Sequence, residues 1–295
     1  MTRQPHDQFA KQYLEELLSP FGKVEVSREV TDEVRQVDIL FSPLASPQTN
    51  LESLGLLGKM TASTCLLEPF RNQPSKTEVR NCILKLFSYF GELQRKARRE
   101  KTALPEDNLP RLWILAPSAS ETLLESFGAK LELTQWLQGV YFLHESFRTA
   151  IVAINELPVL SETLMCRLLG RGKVQQDAAT EVTALPLDNP LRQNLIELLF
   201  SWRVSVETNP ESITEDDREI IMNFKEVYEL EKTTLLQQGL QQGQRQVVEN
   251  LLKVRFGSLD QELSGIIDPM LQLPPEEYTR LCIELSREEL LARFR

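Results

Sequence analysis

Histidine is almost absent from this sequence. His6 and His144 are the only two among 295 residues. That argues against an imidazole-based zinc centre and leaves little material for a Ser/His/Asp triad. The four cysteines, Cys65, Cys82, Cys166 and Cys282, are scattered and form no CxxC pair. The expected setting is therefore cytoplasmic, with reduced thiols and no disulfide framework. Long apolar runs are missing too, and none approaches the roughly 20 residues that cross a bilayer. The opening "MTRQPHDQFAKQYLEELL" has no apolar core of the kind a signal peptide needs, so no membrane partner is expected. No glycine loop is present that could cradle a phosphate, and no small-molecule cofactor is expected.

An excess of basic residues is also lacking. With 33 Lys and Arg against 43 Asp and Glu, the net charge is −10, which argues against a protein that coats nucleic acid constitutively. The imbalance is uneven. Residues 207–295 hold 18 acids and 10 bases, whereas the preceding 206 residues hold 25 acids and 23 bases. A local phosphate-contacting patch is compatible with the first part and not with the second.

What is present alternates in periodicity. Phe9, Ala10, Tyr13, Leu14, Leu17 and Leu18 recur at helical spacing, closed by Pro20 and Gly22. "KVEVSREV" and "EVRQVDILF" read as a β-hairpin turning at Thr31-Asp32. A turn-rich loop, "SPLASPQTN", leads to "ASTCLLEPF", a short apolar run that suits a buried strand. "SKTEVRNCILKLFSYFGELQRKARREK" is a long helix with Val79, Ile83, Leu86, Phe87, Phe90 and Leu93 on one face. "LPRLWILAP" is a second buried strand. "SASETLLESFG" opens a helix, with Ser118 and Glu121 as an expected capping box. "GVYFL" and "TAIVAIN" complete the strands.

The remainder reads as helical. Gly170 closes "SETLMCRLLGRG". Asn189-Pro190 starts another helix, and Thr214 is the expected N-cap of the next. A long Gln-rich helix follows. Leu236, Leu240, Val247, Leu251 and Val254 fit a heptad there, and "QQGLQQGQ" is a small tandem repeat. After Gly257 come three short helices, with Ser258/Gln261 and Ser286/Glu289 as expected capping boxes. The domain expectation is 1–160 for an α/β domain, 161–228 for a helical linker region, 229–256 for the long helix with coiled-coil character, and 257–295 for a small helical tail.

Two acids stand out within apolar runs, Asp38 in "QVDILF" and Glu68 in "CLLEPF". With the element order α-β-β-β-α-β, they resemble the PD-(D/E)XK nuclease superfamily. The opening "HDQFAKQYLEELLSP", the segment "EPFRN" and the tail "LLKVRFGSLDQEL" with "LSREELLARF" resemble the Rpn-like recombination-promoting nuclease and transposase relatives of cyanobacterial type. The tail is similar to a small domain of unknown function that commonly follows such domains. The resemblance implies a restriction-endonuclease-like α/β core followed by an all-helical C-terminal region. It implies a DNA endonuclease in which Asp38 and Glu68 bind Mg2+ or Mn2+, an ion suited to hard oxygen ligands.

The family places a lysine two residues after the strand-three acid, on the same face of the strand. Here that residue is Phe70. Arg71 is the nearest base, although a regular strand would point it to the other face. Some superfamily members draw the base from the following helix, where Lys76, Arg80 and Lys85 are the candidates. Glu15 or Glu16 on the first helix is the candidate third carboxylate. Other readings compete with each assignment. Asp38 could cap a turn or pair with Arg28 or Arg35, and Glu68 could be a solvated strand end. The run "QRKARREK", Gln94 to Lys101, could answer the helix dipole or contact phosphate. His6, His144, Trp113, Trp136 and Trp202 read as surface or packing residues. Two functions remain: a metal-dependent DNA endonuclease, or a non-catalytic nuclease-fold module that forms a homodimer through residues 229–256.

Overall fold

The computed structural model describes residues 5–30, 35–44, 51–186, 189, 191–198, 218, 222 and 224–294. The chain divides into two compact units, Met1–Tyr228 and Glu229–Arg295. The hairpin turn at Thr31-Asp32, the expected cap Thr214, Trp202 and the side chains of His6 and Arg35 lie outside the described residues.

The first unit contains α1 (Pro5–Leu18), β1 (Gly22–Val30), β2 (Arg35–Pro43), α2 (Leu56–Met60), β3 (Cys65–Pro69), α3 (Lys76–Glu100), β4 (Arg111–Ala116), α4 (Glu121–Ser126), β5 (Lys130–Leu131), β6 (Val140–Phe142), β7 (Thr149–Ala153), α5 (Leu164–Arg167) and α6 (Lys173–Ala184). The order α-β-β-β-α-β is present, with short α2 inserted before β3 and the two-residue β5 added after α4. The strands form one mixed sheet in the order β1-β2-β3-β4-β7-β6-β5. β3, β4 and β7 run parallel in its centre, and the flanking pairs are antiparallel. Parallel neighbours need a crossover, and α3 supplies the one from β3 to β4.

Strand alternation sends side chains to two separate cores. Cys65 and Leu67 of β3 face a core built with Phe9, Tyr13 and Leu14 of α1, Leu57 of α2 and Ala178 of α6. Leu66 faces the other core, with Val79, Cys82, Leu86 and Phe90 of α3 and Leu123 of α4. The central strands are covered on both faces, which is why they read as continuous apolar runs.

Described helical residues between 161 and 228 are built into the first unit. Leu164, Met165, Val182, Leu195 and Phe224 join the α1 core, and the Tyr13 hydroxyl donates to the Met165 carbonyl at 2.6 Å. The Asn189 side chain accepts from Leu191 N–H at 2.9 Å, capping the helical stretch 191–198 as the sequence suggests.

The second unit contains α7 (Lys225–Phe256) from residue 229 on, α8 (Gln261–Met270), α9 (Pro275–Glu284) and α10 (Arg287–Phe294). Val248 and Leu252 of α7 meet Leu263, Ile267, Met270, Tyr278, Cys282 and Leu290 in a core of their own. Leu251 packs against that core, so it leaves the stripe formed by Leu236, Leu240, Val247 and Val254, all exposed. Among the described residues, no helix is long and apolar enough to cross a membrane.

Two caps differ from expectation. α4 is capped by Ser120, not Ser118, because Gln73 Oε1 accepts the Ser120 N–H at 2.8 Å and holds it outside the helix. α8 is capped by Asp260, not Ser258; its carboxylate accepts from Leu263 N–H at 2.9 Å. The Ser286/Glu289 pair forms as read.

Candidate functional site

The antiparallel register of β2 and β3 pairs Ile39 with Leu67. One step beyond that pair stand Asp38 and Glu68. The Asp38 N–H donates to Glu68 Oε1 at 3.3 Å. On its other side, β2 pairs with β1 through Ile39–Val26 and Val37–Arg28. Between them, opposite Asp38, Ser27 has a φ of 53°. This is the left-handed region, which a non-glycine residue adopts at some strain. The ladder is thus interrupted where the strand must present Asp38.

Glu68 lies on the strand face covered by α3 and is 1% exposed. A carboxylate there needs a partner. The partner is Lys85 of α3, whose Nζ lies 2.6 Å from Glu68 Oε2. Helical spacing explains its reach. Val79, Cys82, Leu86 and Tyr89 form the buried stripe of α3. Lys85 follows Cys82 by three and precedes Tyr89 by four, so its stem runs along that stripe. Lys76 and Arg80 are exposed. Cys82 Sγ also approaches Glu68 Oε2, at 3.8 Å. On the other side of the pair, Lys11 of α1 reaches Asp38 Oδ1 at 2.7 Å.

Burial pushes the Glu68 carboxyl up to about 8; the charge of Asp38 adds to this and Lys85 opposes it. Burial works against the Lys85 ammonium, but Glu68 and Asp38 outweigh it and hold its pKa above the usual value. Lys85 therefore stays charged, and Glu68 is the group that takes up a proton. The Cys82 thiol is pushed up, first by burial and then by Glu68, and remains protonated.

Phe70 shares the α3 face with Glu68 and packs into that core, while its N–H bonds Leu115 O at 2.7 Å. Arg71 is partly buried two residues past the end of β3, and the charged neighbours that shift Glu68 are Asp38 and Lys85. Glu15 and Glu16 are exposed. They line an open cleft of about 730 Å³ with Lys11, Gln12 and Ser27. Among the described residues, no three His, Cys, Asp or Glu side chains stand close enough to share an ion. Arg28 pairs with Glu25 and Glu92, both at 2.7 Å, rather than with Asp38. His144 is exposed, and Trp113 and Trp136 pack together with ring centroids 5.1 Å apart.

The donor set suits a hard divalent cation. Asp38 and Glu68 stand next to the Ile39–Leu67 pair on adjacent strands, with the Asp38 N–H on Glu68 Oε1 at 3.3 Å, and carboxylate oxygen donors suit Mg2+ or Mn2+. Lys11 was not among the candidates from sequence. Lys85 was, and its place on the buried stripe is the signal that separates it from Lys76 and Arg80. Comparison with family models, curated proteins and solved structures finds no match to this chain.

Proposed function

We propose that the first unit is a divalent-metal-dependent DNA endonuclease with a restriction-endonuclease-like core, of the recombination-promoting type that the sequence resembles. The observation that carries this reading is the lysine ammonium 2.6 Å from the buried Glu68. It supplies from α3 the cation that the strand lacks at Phe70. Asp38 and Glu68 would hold the ion, which would neutralise a phosphate oxygen and lower the pKa of a bound water. Lys85 keeps its proton and can hydrogen-bond a nucleophilic water or a non-bridging phosphate oxygen. Lys11 pairs with Asp38 at 2.7 Å. Phe70 fills core space and takes no part.

Contact with DNA finds support on the same helix. Arg95, Lys96, Arg98 and Arg99 are exposed on α3. Arg98 lies thirteen residues beyond Lys85, about 20 Å along the axis, within reach of phosphates flanking a bound site. The test is nicking of supercoiled plasmid in Mg2+ or Mn2+. Wild type should nick, whereas Glu68→Gln should not. Absence of nicking, or equal nicking by both, would overturn the reading.

A second reading rests on a different observation. Leu235, Leu236, Leu240, Val247 and Val254 of α7 are all more than half exposed. That supports an assembly module in which this helix pairs with its copy. Light scattering should then give a dimer that Leu236→Lys/Leu240→Lys reduces to a monomer. A monomeric wild type sinks this reading.

A further inference from the structure

We infer that Lys11 is a built-in second cation of the site, so that Asp38 and Glu68 take one divalent ion and not two. The inference rests on the reading of these two acids as metal ligands. It goes beyond that reading by fixing the ion count and assigning α1 a role. Two-metal sites neutralise the attacking and leaving oxygens with ions on either side of a shared carboxylate. Here the two sides of the acidic pair are already taken by ammonium groups. Lys85 reaches Glu68 from α3 at 2.6 Å, and Lys11 reaches Asp38 from α1 at 2.7 Å.

The two lysines come from opposite faces of the sheet, since α1 and α3 pack into separate cores. Lys11 is no loosely held surface group: its side chain is 15% exposed and that of Asp38 20%. The left-handed Ser27 opens the β1–β2 ladder opposite Asp38, and both Ser27 and Lys11 line the neighbouring cleft.

Charge balance points the same way. With both carboxylates ionised, as ion binding requires, their charges and those of the two ammonium groups cancel. One divalent ion leaves an excess of about two positive charges, which matches the roughly two negative charges of a phosphodiester under attack by hydroxide. A second ion would double that excess beside Lys11. Among the described side chains of α1, the carboxylates Glu15 and Glu16 are exposed on the cleft.

The test counts bound Mn2+ on the full chain from the paramagnetic resonance of the free ion. Sites are those lost in an Asp38→Asn/Glu68→Gln double variant. Wild type should hold one ion. Lys11→Gln should hold one ion at least fivefold more tightly, because a positive charge beside Asp38 no longer opposes it. Lys11→Glu should hold two ions, or one at least tenfold more tightly. Circular dichroism checks the fold of each, and Lys11→Gln alone decides the matter if Lys11→Glu does not fold. Two ions in wild type, or a Lys11→Gln affinity within twofold of wild type, would overturn the role of Lys11 while leaving the metal reading intact. No ion lost in the double variant would overturn the metal reading itself, and this inference with it.

Discussion

At Glu68 the protein carries a carboxyl held near 8 against an ordinary value of 4.5. Between those values the folded chain keeps a proton that the unfolded chain has released. Stability contributed by this group is therefore fully present below about pH 4.5 and is lost as pH rises through 8. In EDTA, the thermal midpoint should fall between pH 5 and pH 9, and Glu68→Gln should flatten that fall. Added Mg2+ should restore more stability at pH 8 than at pH 5, since the ion binds the ionised form. A wild-type midpoint that does not move with pH sinks this expectation. Lys85 yields a second one: Lys85→Met should lower plasmid nicking by about 10²- to 10³-fold, the range for loss of one charge-stabilising donor. The same variant, assayed by equilibrium unfolding, leaves Glu68 without its cation. Asp38 and Glu68 were legible in the sequence because each interrupts an apolar strand with a charge that needs a partner. Lys11 was not, since its approach to Asp38 depends on how α1 lies across the sheet, which no spacing encodes.

The elements show the same division. Strand periodicity and helix length located the core elements, because burial repeats every two or every 3.6 residues. Caps were harder to place. The Ser-x-x-Glu pattern at Ser118 lost to Ser120, whose N–H donates to Gln73, a residue 47 positions away. α3, by contrast, begins with a complete capping box. The Ser75 hydroxyl accepts from Glu78 N–H at 3.2 Å, and Glu78 Oε2 accepts from Ser75 N–H at 2.7 Å. The Ser75 backbone and then its side chain hold the Glu78 carboxyl below its usual range. Ser75→Ala should cost about 1 kcal/mol in urea unfolding. Its effect on nicking should be small if the rest of α3 keeps Lys85 in place.

At the scale of the molecule, a helical pattern after residue 160 does not tell whether those helices link domains or pack into one. The contact of Tyr13 with Met165 spans 152 residues, and only the fold reveals that the first unit runs to Tyr228. The tail was more legible, since its three short helices carry their own apolar faces. Met270 is fully buried in that tail core. Met270→Ala should remove about 2–5 kcal/mol. Calorimetry should resolve two transitions, with only the one assigned to the tail shifted; a uniform shift of both would show that the units unfold as one. Lys85 stands on α3. Its carboxylate partner is on the sheet, whereas a strand-borne lysine would have travelled with the acid. On the proposed reading, a newly made chain is harmless to the genome until α3 docks, because the sheet alone cannot assemble the reactive set. On the same reading, a chain in which that one helix comes away would lose the reactive set again.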